Sequence, residues 1–156
     1  MKRKKFLIVL LLVLAVYLSG CGGGGFVTPS TNMTGNWTMT NTITATNNPL
    51  HKIGTTTTSK CNIVDSSGLL TIYDFYIVNE EFVTWNTGYG TINNSTITLN
   101  LNGNYINYYG DIVSNTIYFE GTLNDNGLSG SGTYILTISV YGYTWTTWGT
   151  TIFIKG

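Results

Sequence analysis

The segment Gly35-Asn-Trp-Thr-Met-Thr-Asn-Thr-Ile-Thr-Ala-Thr46 decides the fold class of this chain. Every even position from 38 to 46 is a threonine. The odd positions are mostly apolar: Trp37, Met39, Ile43 and Ala45. Alternation with a period of two is typical of a β-strand with one buried face and one solvent-facing face. The sequence therefore predicts a strand over 35–46 whose odd positions face a core.

Further strand patterns follow this segment to the end of the chain, and none of them has a sustained helical period. The predicted strands cover 53–64, 69–78, 81–85, 95–101, 105–112, 115–123, 129–140 and 144–154. Among the predicted turns, Asn102-Gly103 is the pair that most strongly favours a β-hairpin. Both faces of 69–78 are apolar, so its pattern does not identify the inward side.

About eight or nine antiparallel strands with short connections predict one all-β domain over 35–156, folded as an up-and-down meander. Closing such a sheet into a barrel removes its unpaired edges, so a closed barrel is favoured over the alternative of a β-sandwich. Eight strands enclose either a filled core or one small ligand. The strand pattern leaves both interiors open.

The first 21 residues have the layout of an export signal. Four basic residues precede the apolar run 6–18. This run is shorter than the roughly 20 residues that a membrane-spanning helix needs, which favours a secretory signal over a permanent anchor. Leu18-Ser19-Gly20-Cys21 resembles the lipobox of bacterial lipoprotein precursors. The resemblance implies cleavage of residues 1–20, a diacylglycerol on the Cys21 sulfur, and an acyl chain such as palmitate on the new amino group.

Residues 21–34 are then predicted to be a lipidated cysteine followed by a flexible tether, because four consecutive glycines come after Cys21. Two or three acyl chains make a durable membrane anchor, so membrane lipid is the expected partner of Cys21. The expected location is the cell envelope. Gly22, in place of an aspartate, favours the outer membrane.

The composition beyond residue 20 limits the classes of partner. Three lysines and seven acidic residues remain there, for a net charge of −4, and no arginine remains. Nucleic acid is therefore not an expected partner, since phosphate binding requires a basic surface. With Cys21 lipidated, Cys61 has no partner for an internal disulfide and is predicted to be a buried thiol.

The sequence contains no recognisable catalytic or metal-binding set. His51 is the only histidine, and it lies in a predicted loop where we expect it to be exposed. His51 and Cys61 are too few for a zinc site. We therefore expect neither an enzyme nor a cofactor. An enzyme would require polar side chains that converge inside the barrel, which the sequence does not reveal.

The motif Gly35-x-Trp37 at the start of the first strand, followed by a meander of this length, resembles the lipocalin-like (calycin) barrels. The resemblance implies that Gly35 and Trp37 form the barrel floor and that the cup holds a small apolar or amphipathic molecule. An arginine late in the chain packs on this tryptophan in the family. Here Lys155 is the only basic residue near the end.

Inward alternation nominates four aromatic side chains as the cavity lining: Phe75, Trp85, Phe119 and Tyr134. The predicted function is a non-enzymatic, lipid-anchored barrel that binds a small apolar or amphipathic ligand. The alternative is a structural or interaction lipoprotein with a filled barrel, acting through its outer surface in envelope assembly or adhesion. The sequence identifies no protein partner.

Overall fold

The computed structural model describes residues 32–80 and 82–156, and all of its regular structure is β-strand. The strands are β1 (Gly35–Thr46), β2 (Thr56–Ser66), β3 (Leu69–Ile77), β4 (Thr84–Trp85), β5 (Gly88–Asn93), β6 (Thr96–Ile106), β7 (Ile112–Leu123), β8 (Ser129–Val140) and β9 (Tyr143–Lys155). Within these residues, no helix has the length and apolar character that crossing a membrane requires. The predicted signal (1–20), Cys21 and the tether up to residue 31 lie outside the described residues.

The strands form one antiparallel sheet that closes on itself. Each of the long strands pairs with its neighbour in sequence, and β1 pairs with β9 from Trp37–Lys155 to Thr46–Thr147. β4 and β5 both pair with the same edge of β6, so together they occupy one strand position. The result is a closed eight-strand barrel with one short additional strand, and the predicted up-and-down meander is confirmed.

Two bulges shift the side-chain alternation within strands. In β1 the register with β9 shifts between Ile43 and Ala45, which turns Ala45 outward, so its predicted burial is wrong. In β3 the residues Leu70 and Ile72 face inward at even positions, and the next inward residues, Phe75 and Ile77, are at odd positions. Asp74 lies between the two pairs with a φ of 51°. A bulge adds one residue to a strand and reverses the facing of all that follow.

The hairpin predicted at Asn102-Gly103 is wrong, because both residues lie inside the long strand β6. Gly103 faces the interior, and the ring of Trp85 packs against it. The turn comes instead at 107–111, where Asn107 Oδ1 accepts hydrogen bonds from the backbone N–H groups of Tyr109 and Asp111, both at 2.9 Å. The predicted strand 105–112 therefore contains a turn. None of the predicted strands corresponds to β5.

One end of the barrel is filled with large side chains. Trp37 is fully buried there, packs against Phe153 at 5.7 Å between ring centroids, and donates its Nε1–H to the carbonyl oxygen of Met33 at 2.7 Å. Met33 is itself buried beneath the strands. Lys155 Nζ lies 5.9 Å from the centroid of the Trp37 ring, within the range of a cation–π interaction.

Because the first and last strands pair with each other, every strand of the barrel has its partners within residues 35–155. The buried apolar cluster comes from the same strands and from Met33. Residues 26–156 therefore contain the whole barrel and its core, and can be studied as a folded unit.

Candidate functional site: the barrel cavity

The other end of the barrel opens into a cavity of about 580 Å³. This volume lies within the range of about 300–1,000 Å³ typical of small-molecule sites. At about 30 Å³ of liquid volume per molecule, it corresponds to roughly twenty waters. Phe119 and Thr151 line its deep part, and the β1–β2 and β3–β4 connections border its mouth. The barrel is thus filled at one end and hollow at the other.

All four aromatic residues that the alternation nominated lie on the cavity wall. Phe75 and Trp85 pack edge to face, with 4.9 Å between their centroids. Phe119 packs edge to face on Phe153, at 5.4 Å, and so joins the wall of the cavity to the filled end. Tyr134 is buried, and burial raises the pKa of its phenol, which keeps the hydroxyl protonated.

The packing of the barrel interior depends on glycines directly opposite inward-facing aromatic rings. Such a glycine lets the ring of the opposite strand lie against the wall, because no Cβ occupies that space. Built on the glycine backbones, a Cβ would come within 2.3–2.7 Å of the facing ring in each of three cross-strand pairs. These pairs are Trp85–Gly103, Tyr134–Gly149 and Phe153–Gly130.

One polar cluster on the cavity wall is satisfied by its own members. Asn41 donates from Nδ2 to Ser59 Oγ at 2.9 Å, and Thr151 donates from its hydroxyl to Asn41 Oδ1 at 2.7 Å. Ser59 and Thr151 are fully buried. Because buried polar groups are costly unless they are hydrogen-bonded, this arrangement lets three polar side chains lie within an otherwise apolar wall.

A second pair of polar groups is not satisfied in this way. Among the described residues, Trp85 Nε1 and Asn115 Nδ2 are the buried side-chain nitrogen or oxygen atoms that have no hydrogen-bond partner. Both residues line the cavity. Asn115 is only 4% exposed. Asn115 was not among the predicted site residues, although it lies an even number of residues from Phe119 on β7 and so faces the same side of the strand.

The mouth of the cavity carries the few charged groups of the site. His51 is partly buried, and its Nδ1 lies 2.6 Å from the hydroxyl oxygen of Thr147, so the prediction of an exposed loop residue is wrong. Thr147 is fully buried and also bonds Thr46, at 2.8 Å. Lys52 and Glu80 are the lysine and the acidic residue of the lining. The β1–β2 connection is therefore fixed over one side of the mouth.

The described residues contain neither a metal-ligand cluster nor an activated thiol. No three His, Cys, Asp or Glu side chains in 32–80 and 82–156 come together as metal ligands would. Cys61 is a buried free thiol that does not line the cavity, and burial raises the pKa of its thiol to about 12. A thiol with so high a pKa carries almost no thiolate at neutral pH, which is the nucleophilic form.

Comparisons of this chain with protein-family models, with curated proteins and with solved structures found no match.

Proposed function

We propose that this chain is a non-enzymatic, lipid-anchored protein of the cell envelope whose barrel binds a small apolar or amphipathic molecule. The observation that carries the proposal is the cavity of about 580 Å³ with a mostly apolar wall. Apolar clefts of this size with a few placed polar groups are the usual form of small-molecule sites. The resemblance of Gly35-x-Trp37 and the meander to the lipocalin-like barrels supports the same class of ligand.

The position of the chain's entry into the barrel supports the anchoring part of the proposal. β1 begins at the filled end, where Met33 is buried, so the chain that precedes it joins the barrel at the end opposite the mouth. An anchor at Cys21 would therefore leave the mouth accessible. The expected result is incorporation of an alkyne-labelled fatty acid into the full chain, lost in Cys21→Ser. Equal labelling of the two proteins would contradict the anchoring.

The test of ligand binding is native mass spectrometry on residues 26–156 purified gently from the source cells, together with titration of the fluorescent probe N-phenyl-1-naphthylamine. A small molecule that co-purifies and is released on denaturation would identify the ligand class. We expect the probe to bind with enhanced fluorescence because its rings would leave water for an apolar wall.

A matched pair of variants shows whether the probe enters the barrel. Ile117 faces the cavity and Ile135 is on the outer surface of the adjacent strand, directly across from Tyr118. Ile117→Trp replaces an isoleucine side chain in the cavity with the larger indole and is expected to weaken probe binding at least tenfold. Ile135→Trp should leave probe binding unchanged. A clean apo mass with no probe binding would contradict the cup. That result would favour the alternative of an interaction lipoprotein, with the outer apolar row of Tyr118, Ile135 and Trp148 as its binding surface.

A further inference from the structure

The two unsatisfied donors of the cavity lie in one row across three strands. Gly103 of β6 is paired with Trp85 of β4 on one side and with Asn115 of β7 on the other. Residues paired across strands point to the same face of a sheet, so both side chains point into the barrel. Asn115 also pairs with Ile138, another residue of the cavity wall. The row thus crosses the wall just below the mouth.

Gly103 leaves room for the indole of Trp85 in this row. A Cβ built on Gly103 would lie 2.7 Å from Cε3 and 2.8 Å from Cδ2 of Trp85, so the indole lies across the glycine. Neighbouring strands are about 4.8 Å apart, so Trp85 and Asn115, on either side of Gly103, start from backbones about 10 Å apart. No side chain stands between the indole and the amide, since the residue between them is glycine.

The unsatisfied state of this row differs from the rest of the polar wall. Asn41, the other asparagine on a barrel strand in the cavity wall, has both ends of its amide bonded, to Ser59 and Thr151. In contrast, no described residue accepts a hydrogen bond from Trp85 Nε1 or Asn115 Nδ2. Leaving buried donors without acceptors opposes folding. Two of them in one row of a ligand-sized cavity indicate an acceptor that the described residues do not supply.

The charges around the cavity indicate an uncharged acceptor. Among the described residues that line it, His51 and Lys52 can carry a positive charge, and both belong to the connection between β1 and β2. Around the barrel, β1 is four strand positions from β6, on the opposite wall. Glu80, just before β4, places a carboxyl group on the side of the donor row. A carboxylate ligand buried beside the row would have no paired cation there, which is strongly unfavourable.

We propose that Trp85 Nε1–H and Asn115 Nδ2–H together bind an uncharged oxygen acceptor, a carbonyl or ether oxygen, of an otherwise apolar ligand. This proposal rests on the proposed function, since it requires that a ligand enters the cavity. It assigns the ligand a polar atom near the mouth and an apolar chain that extends down toward Phe119 and Thr151. The row therefore distinguishes ketones, esters and ethers from hydrocarbons and from fatty-acid anions.

The test uses three probes of equal chain length, 2-nonanone, nonane and nonanoate, each displacing N-phenyl-1-naphthylamine from residues 26–156. Asn115→Leu removes the amide at similar volume, and Trp85→Phe keeps an aromatic ring but removes the N–H. Asn104→Leu, at an exposed position of β6, is the matched control. Comparing each probe between proteins, rather than the probes with one another, removes the difference in their solubility in water.

We expect Asn115→Leu and Trp85→Phe each to weaken 2-nonanone binding about tenfold, which corresponds to about 1.4 kcal/mol for one hydrogen bond. Nonane binding should not weaken in either variant, which also shows that the variants are folded, and Asn104→Leu should change neither probe. In ¹H–¹⁵N spectra, the indole signal that Trp85→Phe removes should move when 2-nonanone is added and stay in place with nonane.

The failures of the two proposals are distinguishable. If the dye and all three probes fail to bind, the cup itself is wrong. If nonane and 2-nonanone bind but the two variants weaken both equally or neither, the donor row is wrong and the cup remains. Nonanoate binding more tightly than 2-nonanone at pH 8, with the same loss in Asn115→Leu, would overturn the requirement for an uncharged acceptor.

Discussion

Replacing Gly103 by alanine tests whether the indole of Trp85 lies across the glycine. The new Cβ would lie 2.7–2.8 Å from two ring carbons of Trp85 and 3.1 Å from the carbonyl oxygen of Thr84. Ordinary carbon–carbon contacts are about 3.5–4.0 Å, so the ring must shift by about 1 Å. Overpacking of this kind typically costs about 1–3 kcal/mol.

An effect on the unfolded chain partly offsets the loss of stability caused by overpacking. Gly103 is not among the glycines with a positive φ, so alanine can adopt its backbone conformation. Replacing glycine by alanine at such a position stabilises a protein by about 0.4–1 kcal/mol, because the unfolded chain loses freedom. The net expectation for Gly103→Ala is a loss of about 1–2 kcal/mol in the free energy of unfolding.

The cause of that loss can be isolated with a second substitution. In Trp85→Leu the ring is absent, and only the 3.1 Å contact with Thr84 remains to resist the new methyl group. Gly103→Ala should then be neutral or stabilising by about 0.5 kcal/mol. The double-mutant cycle is therefore expected to give a coupling free energy of about 1–2.5 kcal/mol.

The assay is urea unfolding of residues 26–156, followed by far-ultraviolet circular dichroism at constant m-value. The control cycle combines Gly103→Ala with Trp148→Leu, because Trp148 is exposed on the outer face of β9. That cycle should be additive within about 0.5 kcal/mol. Additivity in the Trp85 cycle as well would refute the packing of the indole on Gly103, and with it the geometry of the donor row.

Two further predictions concern the filled end of the barrel. Trp37→Phe removes the hydrogen bond to the Met33 carbonyl and is expected to lower the free energy of unfolding by about 1–3 kcal/mol in urea titrations. The control, Trp148→Phe, should lower it by less than about 0.5 kcal/mol. Equal losses would count against a structural role for the indole N–H. Burial raises the pKa of the Cys61 thiol in the folded protein to about 12, from the ordinary value of 9.0. As the pH rises above about 9, the thiol of the unfolded chain therefore loses its proton first, and the folded state becomes less stable relative to the unfolded state. The difference in unfolding free energy between the unsubstituted protein and Cys61→Val should therefore decrease by up to about 1.4 kcal/mol per pH unit above pH 9, and a difference that stays constant to pH 10.5 would contradict the burial of the thiol.

The strands with strict alternation could be predicted from the sequence with their bounds. β1 (Gly35–Thr46) and β8 (Ser129–Val140) begin and end where the pattern predicts. The errors fall where one residue breaks the alternation. At Asp74 a bulge reverses the facing of the rest of β3, which explains why both faces of this strand look apolar in the sequence. Bulges depend on the partner strand, which a single strand's pattern does not contain.

Glycine accounts for two further errors in the predicted strands. Asn102-Gly103 has the local preference of a turn, but Gly103 is required for close approach of the Trp85 ring. Gly88 and Gly90 interrupt the pattern of β5, and a Cβ at either position would lie within 3 Å of backbone atoms of β6. In both cases the glycine is explained by a contact from another strand. Local sequence cannot separate this role from that of a turn.

The candidate site was predictable in its apolar part and not in its polar part. The alternation of apolar and polar residues predicted that Phe75 and Phe119 face inward, and both lie on the cavity wall. Alternation identifies the buried face of a strand without knowledge of its partner strands. Asn115 has the same parity, but an asparagine at the start of a predicted strand indicates a turn as readily as a site. Its importance depends on the absence of a partner in the described chain, and only the folded barrel shows which polar groups are bonded.

The division of the barrel into a filled end and a hollow end follows from side-chain size at inward positions of the same strand. Along β9, Phe153 fills the floor, whereas Thr147 and Gly149 occupy inward positions nearer the mouth. An eight-strand barrel is just wide enough to be filled by ordinary side chains, so small inward residues are needed to keep a cavity. Larger apolar residues at Thr147 would bury more apolar area and stabilise the fold if they packed without strain. The hollow end, with its unsatisfied donors, therefore makes the barrel less stable than a filled one would be. Binding of a ligand offers a physical reason for this loss of stability.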